Sequence, residues 1–217
     1  ITEYVWIQHP TKGRLKFKLF DYQKELLDSY HNHRYSIALI SRQMGKSTAA
    51  AAYLLWYSMF IPDQTILIAA HKYSGAQEIM QRIRFAYELL PNFIRAGVTA
   101  YNKGSLEFDN GSRIIAQATT ENTGRGLSIS LAYLDEFAFV RPAIARDFWV
   151  SLSPTLSTGG KCIITSTPNQ DDDQFARIWR DACKTTDAYG NEKETGKNGF
   201  NAYSADWTHH PDRDEQW

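Results

Sequence analysis

Ser41-Arg42-Gln43-Met44-Gly45-Lys46-Ser47 could bind phosphate, and Asp135-Glu136 could cut it. The first stretch leaves a short apolar run at 36–40 and enters a run at 46–60 without Gly or Pro. A strand, a bend and a helix start in that order aim backbone N–H groups and the positive helix end at an anion. Gly45 lets the backbone approach phosphate closely, Lys46 supplies charge for the β- and γ-phosphates, and the Ser47 hydroxyl suits Mg²⁺. The nucleotide-contacting set is therefore Ser41, Arg42, Gln43, Met44, Gly45, Lys46, Ser47 and Thr48. The full pattern G-x-x-x-x-G-K-[ST] would place a first glycine where Ile40 stands. A bare Gly-Lys-Ser triplet also fits an ordinary helix start with a surface lysine.

Asp135 and Glu136 close the apolar run Leu131-Ala132-Tyr133-Leu134. Neighbours on a strand point to opposite sides. Asp135 is thus expected at the metal shell beside Ser47. Glu136 is expected at the attacking water, as a general base. Alone, the pair also reads as a solvated strand end; its spacing from the phosphate loop favours chemistry.

Thr165-Ser166-Thr167-Pro168 ends another apolar run, where hydroxyls either sense the γ-phosphate or make a turn fixed by Pro168. Arg42 lies where charge develops during phosphoryl transfer and is placed as an arginine finger in cis. The Gln23 amide, a donor and an acceptor, matches an adenine edge, although a surface glutamine on a helix is commonplace. Arg125, in Thr123-Gly124-Arg125-Gly126, fits a phosphate contact, a neighbouring subunit or plain solvent. Asp171-Asp172-Asp173 reads as a solvated acidic loop sooner than a metal site. His31, His33, His209 and His210 lack partners at metal spacing.

These groups need rigid elements behind them. Apolar periodicity predicts helices over 19–30, 46–60, 74–90 and 174–183. Ser74 is expected to cap the third, and Pro91 to end it. Buried strands are predicted at 36–40, 65–70, 131–134 and 161–165. Asp109-Asn110-Gly111 should turn a hairpin between 105–108 and 112–116. Residues 184–198 read as a mobile loop. Alternating strands and helices imply an α/β fold with a mostly parallel sheet flanked by helices and ligands at the strands' carboxyl ends. Residues 36–184 form its P-loop core. Residues 1–35 and 185–217 are expected to make a small subdomain.

Composition sets outer bounds. A 43% hydrophobic and 22% charged chain can pack a core. Zero formal net charge removes a fold-wide basic field, leaving only local patches for nucleic acid. Two cysteines build neither a disulfide framework nor a Cys-rich metal site, which fits the cytosol. No apolar run reaches the length of a membrane helix, so no membrane partner is expected. The abrupt start at Ile1 and stop at Trp217 read as an excised piece of a longer protein.

Taken together, the motifs resemble the large terminase subunits of tailed bacteriophages. Arg42-Gln43 before Gly45-Lys46-Ser47, Leu131 to Phe139, and Thr165-Ser166-Thr167-Pro168 carry the likeness. Ala70-His71-Lys72, Glu88-Leu89-Leu90-Pro91, Asn102-Lys103-Gly104-Ser105 and Asp109-Asn110-Gly111-Ser112 are similar to the T-even type. The likeness runs from about residue 20 to 207, and the absent first glycine is a habit of that family. It implies an ASCE/RecA-like P-loop NTPase that hydrolyses ATP with Mg²⁺ and drives double-stranded DNA into a procapsid. By the same likeness Gln23 takes the adenine, Arg42 is the cis arginine, Lys46 and Ser47 are Walker A, Asp135 is Walker B, Glu136 is the catalytic carboxylate, and Thr165, Ser166 and Thr167 are the coupling segment. Also implied are the capsid portal protein, a small terminase subunit and a homo-oligomeric ring as partners, in host cytoplasm and transiently on the procapsid. The family's nuclease domain is expected to be absent from this chain, with Trp217 near the end of the ATPase domain. Rival readings are a helicase-like nucleic-acid-dependent ATPase, a nucleotide-binding module that does not hydrolyse, and, third, a small-molecule kinase.

Overall fold

The computed structural model describes residues 3–170 and 173–213. Asp171, Asp172 and Trp217 lie outside the described residues. In chain order the elements are β1 (Trp6–His9), β2 (Gly13–Lys16), α1 (Asp21–Asn32), β3 (Tyr35–Ile40), α2 (Lys46–Phe60), β4 (Thr65–Ala70), α3 (Tyr73–Glu88), β5 (Val98–Tyr101), β6 (Ser105–Phe108), β7 (Arg113–Ala118), β8 (Leu131–Asp135), α4 (Pro142–Leu156), β9 (Lys161–Ser166), α5 (Gln174–Ala182) and β10 (Phe200–Ala205).

Eight strands form one sheet in the order β10-β3-β9-β8-β4-β7-β6-β5, while β1 and β2 pair separately as a hairpin. From β10 to β7 all pairs are parallel; β6 and β5 add an antiparallel edge. The central strands are apolar on both faces because both faces are covered. Ile66, Ile68 and Tyr133 point into a core shared with α1, α2 and α3. Leu67, Ala132 and Leu134 point into an opposite core closed by α4 and α5. This is the expected α/β sheet flanked by helices, with the Asp109-Asn110-Gly111 hairpin in place between β6 and β7.

The order of strands positions the site. β9 lies between β3, which feeds the phosphate loop, and β8, which ends in Asp135. The register pairs Thr165 with both Ala38 and Asp135. The Thr-Ser-Thr segment therefore stands between loop and carboxylates.

Three expectations change. Ser74 is not a cap: α3 starts at Tyr73 behind Lys72, with no side-chain cap bond. Residues 184–198 are tied internally, with a bridge between Thr186 and Glu192 and two backbone amides, of Tyr189 and Asn191, on Asp187 Oδ1. The terminal segments are not set apart as a whole. α1 packs on α2 and β3, and β10 is a full parallel partner of β3, because both carry apolar residues that the common core buries. Among the described residues no helix is long and apolar enough to cross a membrane.

Candidate functional site

The phosphate loop is bent by two left-handed residues, Gln43 at φ 59° and Gly45 at φ 72°. Glycine takes that conformation without penalty, whereas Gln43 is held there by its surroundings. Beyond the bend α2 begins at Lys46, so the unpaired amides of its first turn face the loop. Ser41, Arg42, Gln43, Met44, Gly45, Lys46, Ser47 and Thr48 line a cleft of about 230 Å³, closed by Glu136, Thr167 and Arg82. Arg82, on α3, bears no motif signature and is recognised only from its place there; Glu78 sits 3.7 Å from it.

Across the cleft Glu136 adopts φ 49° and ψ 43°. That left-handed turn is uncommon for a residue with a Cβ and breaks the strand at the carboxylates. Lys46 Nζ lies 3.1 Å from Asp135 Oδ1 and 2.7 Å from Glu136 Oε1. Lys46 and Asp135 are each only 8% exposed, so little water screens the pairs. Burial by itself depresses the ammonium pKa, but the two carboxylates outweigh it and Lys46 is raised above its ordinary value. Burial by itself raises Glu136; the Lys46 charge, its hydrogen bond and those from Thr167 outweigh that and hold Glu136 below its ordinary value.

The far oxygen of Glu136 is gripped by the segment ending β9. Oε2 accepts from Thr167 N at 3.1 Å, Thr167 Oγ1 at 3.2 Å and Ser166 Oγ at 3.3 Å. Thr165 Oγ1 sits 3.1 Å from Asp135 Oδ1. Each of the three hydroxyl residues thus meets a carboxylate.

Gln23 is the exception. It is 3% exposed, and both amide atoms are engaged with backbone: Oε1 accepts from Phe20 N at 3.1 Å and Nε2 donates to Met44 O at 3.0 Å. Its amide braces the loop from beneath, through one bond at each end. Arg42 is exposed at the cleft with no ion pair among the described residues. Arg125 stands away from the cleft, its Nε 3.4 Å from Ser151 Oγ. Asp173 caps α5 by accepting from Ala176 N at 2.7 Å, the role of a capping aspartate.

The donor set fits magnesium. Ser47 and Asp135 offer oxygen, and Mg²⁺ is ordinarily held by one or two protein oxygens together with substrate phosphates and water. No cluster of three or more His, Cys, Asp or Glu exists among the described residues. The ion would therefore be held jointly with the nucleotide.

Comparisons with known proteins converge. The model of the family described as "Terminase large subunit, T4likevirus-type, N-terminal" matches residues 37–217. The large terminase ATPase domain of Thermus phage P74-26 has 21% identity and a TM-score of 0.67, over 91% of this chain and 85% of that one. The HK97 bacteriophage large terminase has 19% identity and a TM-score of 0.73, over 99% of this chain and 43% of that one. A large terminase from a thermophilic bacteriophage, solved in complex with ADP, has 11% identity and a TM-score of 0.64, over 92% of this chain and 48% of that one. At these identities the structures show a shared fold, and this chain spans less than half of the latter two.

Proposed function

The chain belongs to the terminase large subunits of the T4-like type, matching their N-terminal part, and we propose that it hydrolyses ATP to move double-stranded viral DNA into a procapsid. One observation carries this reading: a buried lysine from a phosphate loop is clasped by an Asp-Glu pair whose glutamate is held by a third strand end.

The roles follow from charge. Triphosphate entering the cleft competes with the carboxylates for Lys46. As the ammonium moves toward phosphate, Glu136 loses the charge that keeps it below its ordinary value and becomes a better base for water. Lys46 and Arg42 then face the charge that develops on the γ-phosphoryl group. Asp135 and Ser47 would hold Mg²⁺, which supplies charge neutralisation between phosphates. Thr167 and Ser166 touch Glu136, so any movement of the glutamate is felt directly at the end of β9.

Partners are proposed on family membership: DNA, a capsid portal, a small terminase subunit and a ring of like subunits. Phosphate release tests the chemistry. The wild-type chain should turn over ATP, and Lys46→Ala and Glu136→Ala should each fall at least about a hundredfold. Wild-type turnover in either variant would overturn the assignment. Stimulation by duplex DNA with portal, without strand separation, distinguishes a packaging motor from a helicase.

A further inference from the structure

Tyr133 precedes Asp135 by two residues, so both side chains lie on the same face of β8. The strand is buried throughout, and an aliphatic residue would fill its core position. A tyrosine brings a hydroxyl into a place without water, where it has to find a partner. Tyr133 and Thr165 are both 0% exposed. The Tyr133 hydroxyl lies 3.2 Å from Asp135 Oδ1 and 3.1 Å from Thr165 Oγ1, and Thr165 Oγ1 lies 3.1 Å from the same Oδ1.

Proton counting limits this triangle. Two hydroxyls own two protons, and three short contacts share them. The shortest arrangements place at least one of these protons on Oδ1, since the other acceptor in reach, Leu134 O, lies farther from Thr165 Oγ1, at 3.5 Å. With Lys46 also on Oδ1, three donor groups lie within hydrogen-bond reach of that one oxygen. Oδ2 accepts no hydrogen bond among the described residues. The carboxylate is thus held through Oδ1, which leaves Oδ2 for a ligand.

Resting on the ATPase reading above, we propose that Tyr133 is a positioning residue for magnesium: its hydroxyl fixes the rotation of Asp135 and so presents Oδ2 to the ion. Tyr30 provides the contrast. It is 0% exposed and feels the charge of Asp135, yet its hydroxyl has no hydrogen-bond partner among the described residues. Removing that hydroxyl removes no bond to the carboxylate.

The test measures Mn²⁺, a paramagnetic substitute for Mg²⁺, binding to the protein with a non-hydrolysable ATP analogue, by electron paramagnetic resonance. Analogue affinity in chelator is measured in parallel. Tyr133→Phe should weaken Mn²⁺ binding about tenfold, as loss of a group that orients a metal ligand does. Metal-free analogue affinity should stay within about twofold, since the phosphate loop is untouched. Tyr30→Phe should leave both unchanged. Equal Mn²⁺ affinity in Tyr133→Phe and wild type would overturn the proposal, as would an equal loss of metal-free binding, which marks a merely structural role. If Tyr133→Phe melts far below wild type, both affinities are read at a temperature where the variant is folded, and Mn²⁺ affinity equal to wild type there still overturns the proposal. Wild-type protein that binds neither analogue nor Mn²⁺ would defeat the ATPase reading itself, and this inference with it.

Discussion

At the scale of residues, the site is one cation between two acids, and its pH behaviour follows from that imbalance. Glu136 is held below its ordinary value, so it contributes stability above the usual carboxylate range and loses it as pH falls through the lowered value. Lys46 is raised, so its contribution is complete below the usual lysine value and is lost as pH rises through the raised one. Between about pH 5 and pH 9 the cluster should therefore leave stability flat. Lys46→Met removes the cation and leaves two acids adjacent, one of them nearly buried. Removing one partner of a buried pair costs about 3 kcal/mol. Here the loss should be greatest at about pH 8 and shrink toward about pH 5, as one carboxyl takes a proton and the repulsion ends. Denaturant unfolding without nucleotide, at several pH values, checks this; a wild-type-minus-variant difference that stays constant across the range would refute the picture. These residue identities were readable in the sequence because a phosphate loop and an Asp-Glu strand end are local patterns. The pairing of Lys46 with both acids was not, since it depends on β9 being inserted between the two strands.

At the scale of elements, α1 acts as a brace for the loop that opens α2. Gln23 Nε2 and the Tyr22 hydroxyl both donate to Met44 O, at 3.0 Å and 2.8 Å. A Cβ on Gly45 would lie 2.6 Å from Gln23 Nε2, and the residue sits at φ 72°. Gly45→Ala is then opposed twice, by backbone strain of about 1 kcal/mol and by the amide beneath it. It should weaken nucleotide binding at least about tenfold. Gln23→Ala should weaken it by a smaller factor, by loosening the loop, without changing ATP-over-GTP selectivity. Because Gln23→Ala also removes the obstructing amide, the double variant should bind more tightly than additive losses predict. Strict additivity, measured by nucleotide titration, would show that the contact does not matter. A glutamine amide can read a base or hold a backbone, and sequence alone does not separate the two; burial does. Helix α4 was not among the predicted helices; Pro142 stands at its first turn, where the missing N–H is harmless, and Pro154 lies near its C-terminal end.

At the scale of the whole molecule, the loop is held by chain remote from it on both sides. β10 runs parallel to β3, and Ser41 N donates to Ala205 O at 3.0 Å. The segment after β10 folds back until His210 meets Phe20 with ring centres 4.7 Å apart. Arg213 then donates to Gln43 O at 2.8 Å and to Met44 Sδ at 3.2 Å. Such long-range pairing leaves no periodic trace in sequence, so the terminal segments looked separable from the core while in the structure they grip its most functional loop. A guanidinium on these acceptors should contribute about 1–2 kcal/mol to keeping the loop closed. Arg213→Ala should then raise amide hydrogen exchange in residues 42–48 about tenfold, because local opening would need that much less free energy. The β4 and β8 amides, which exchange by global opening, should change far less. Wild-type exchange in the loop would mean that Arg213 merely rests on it. Faster exchange there, with turnover also reduced, would mean that chain beyond the sheet helps set the conformation in which Lys46 meets phosphate.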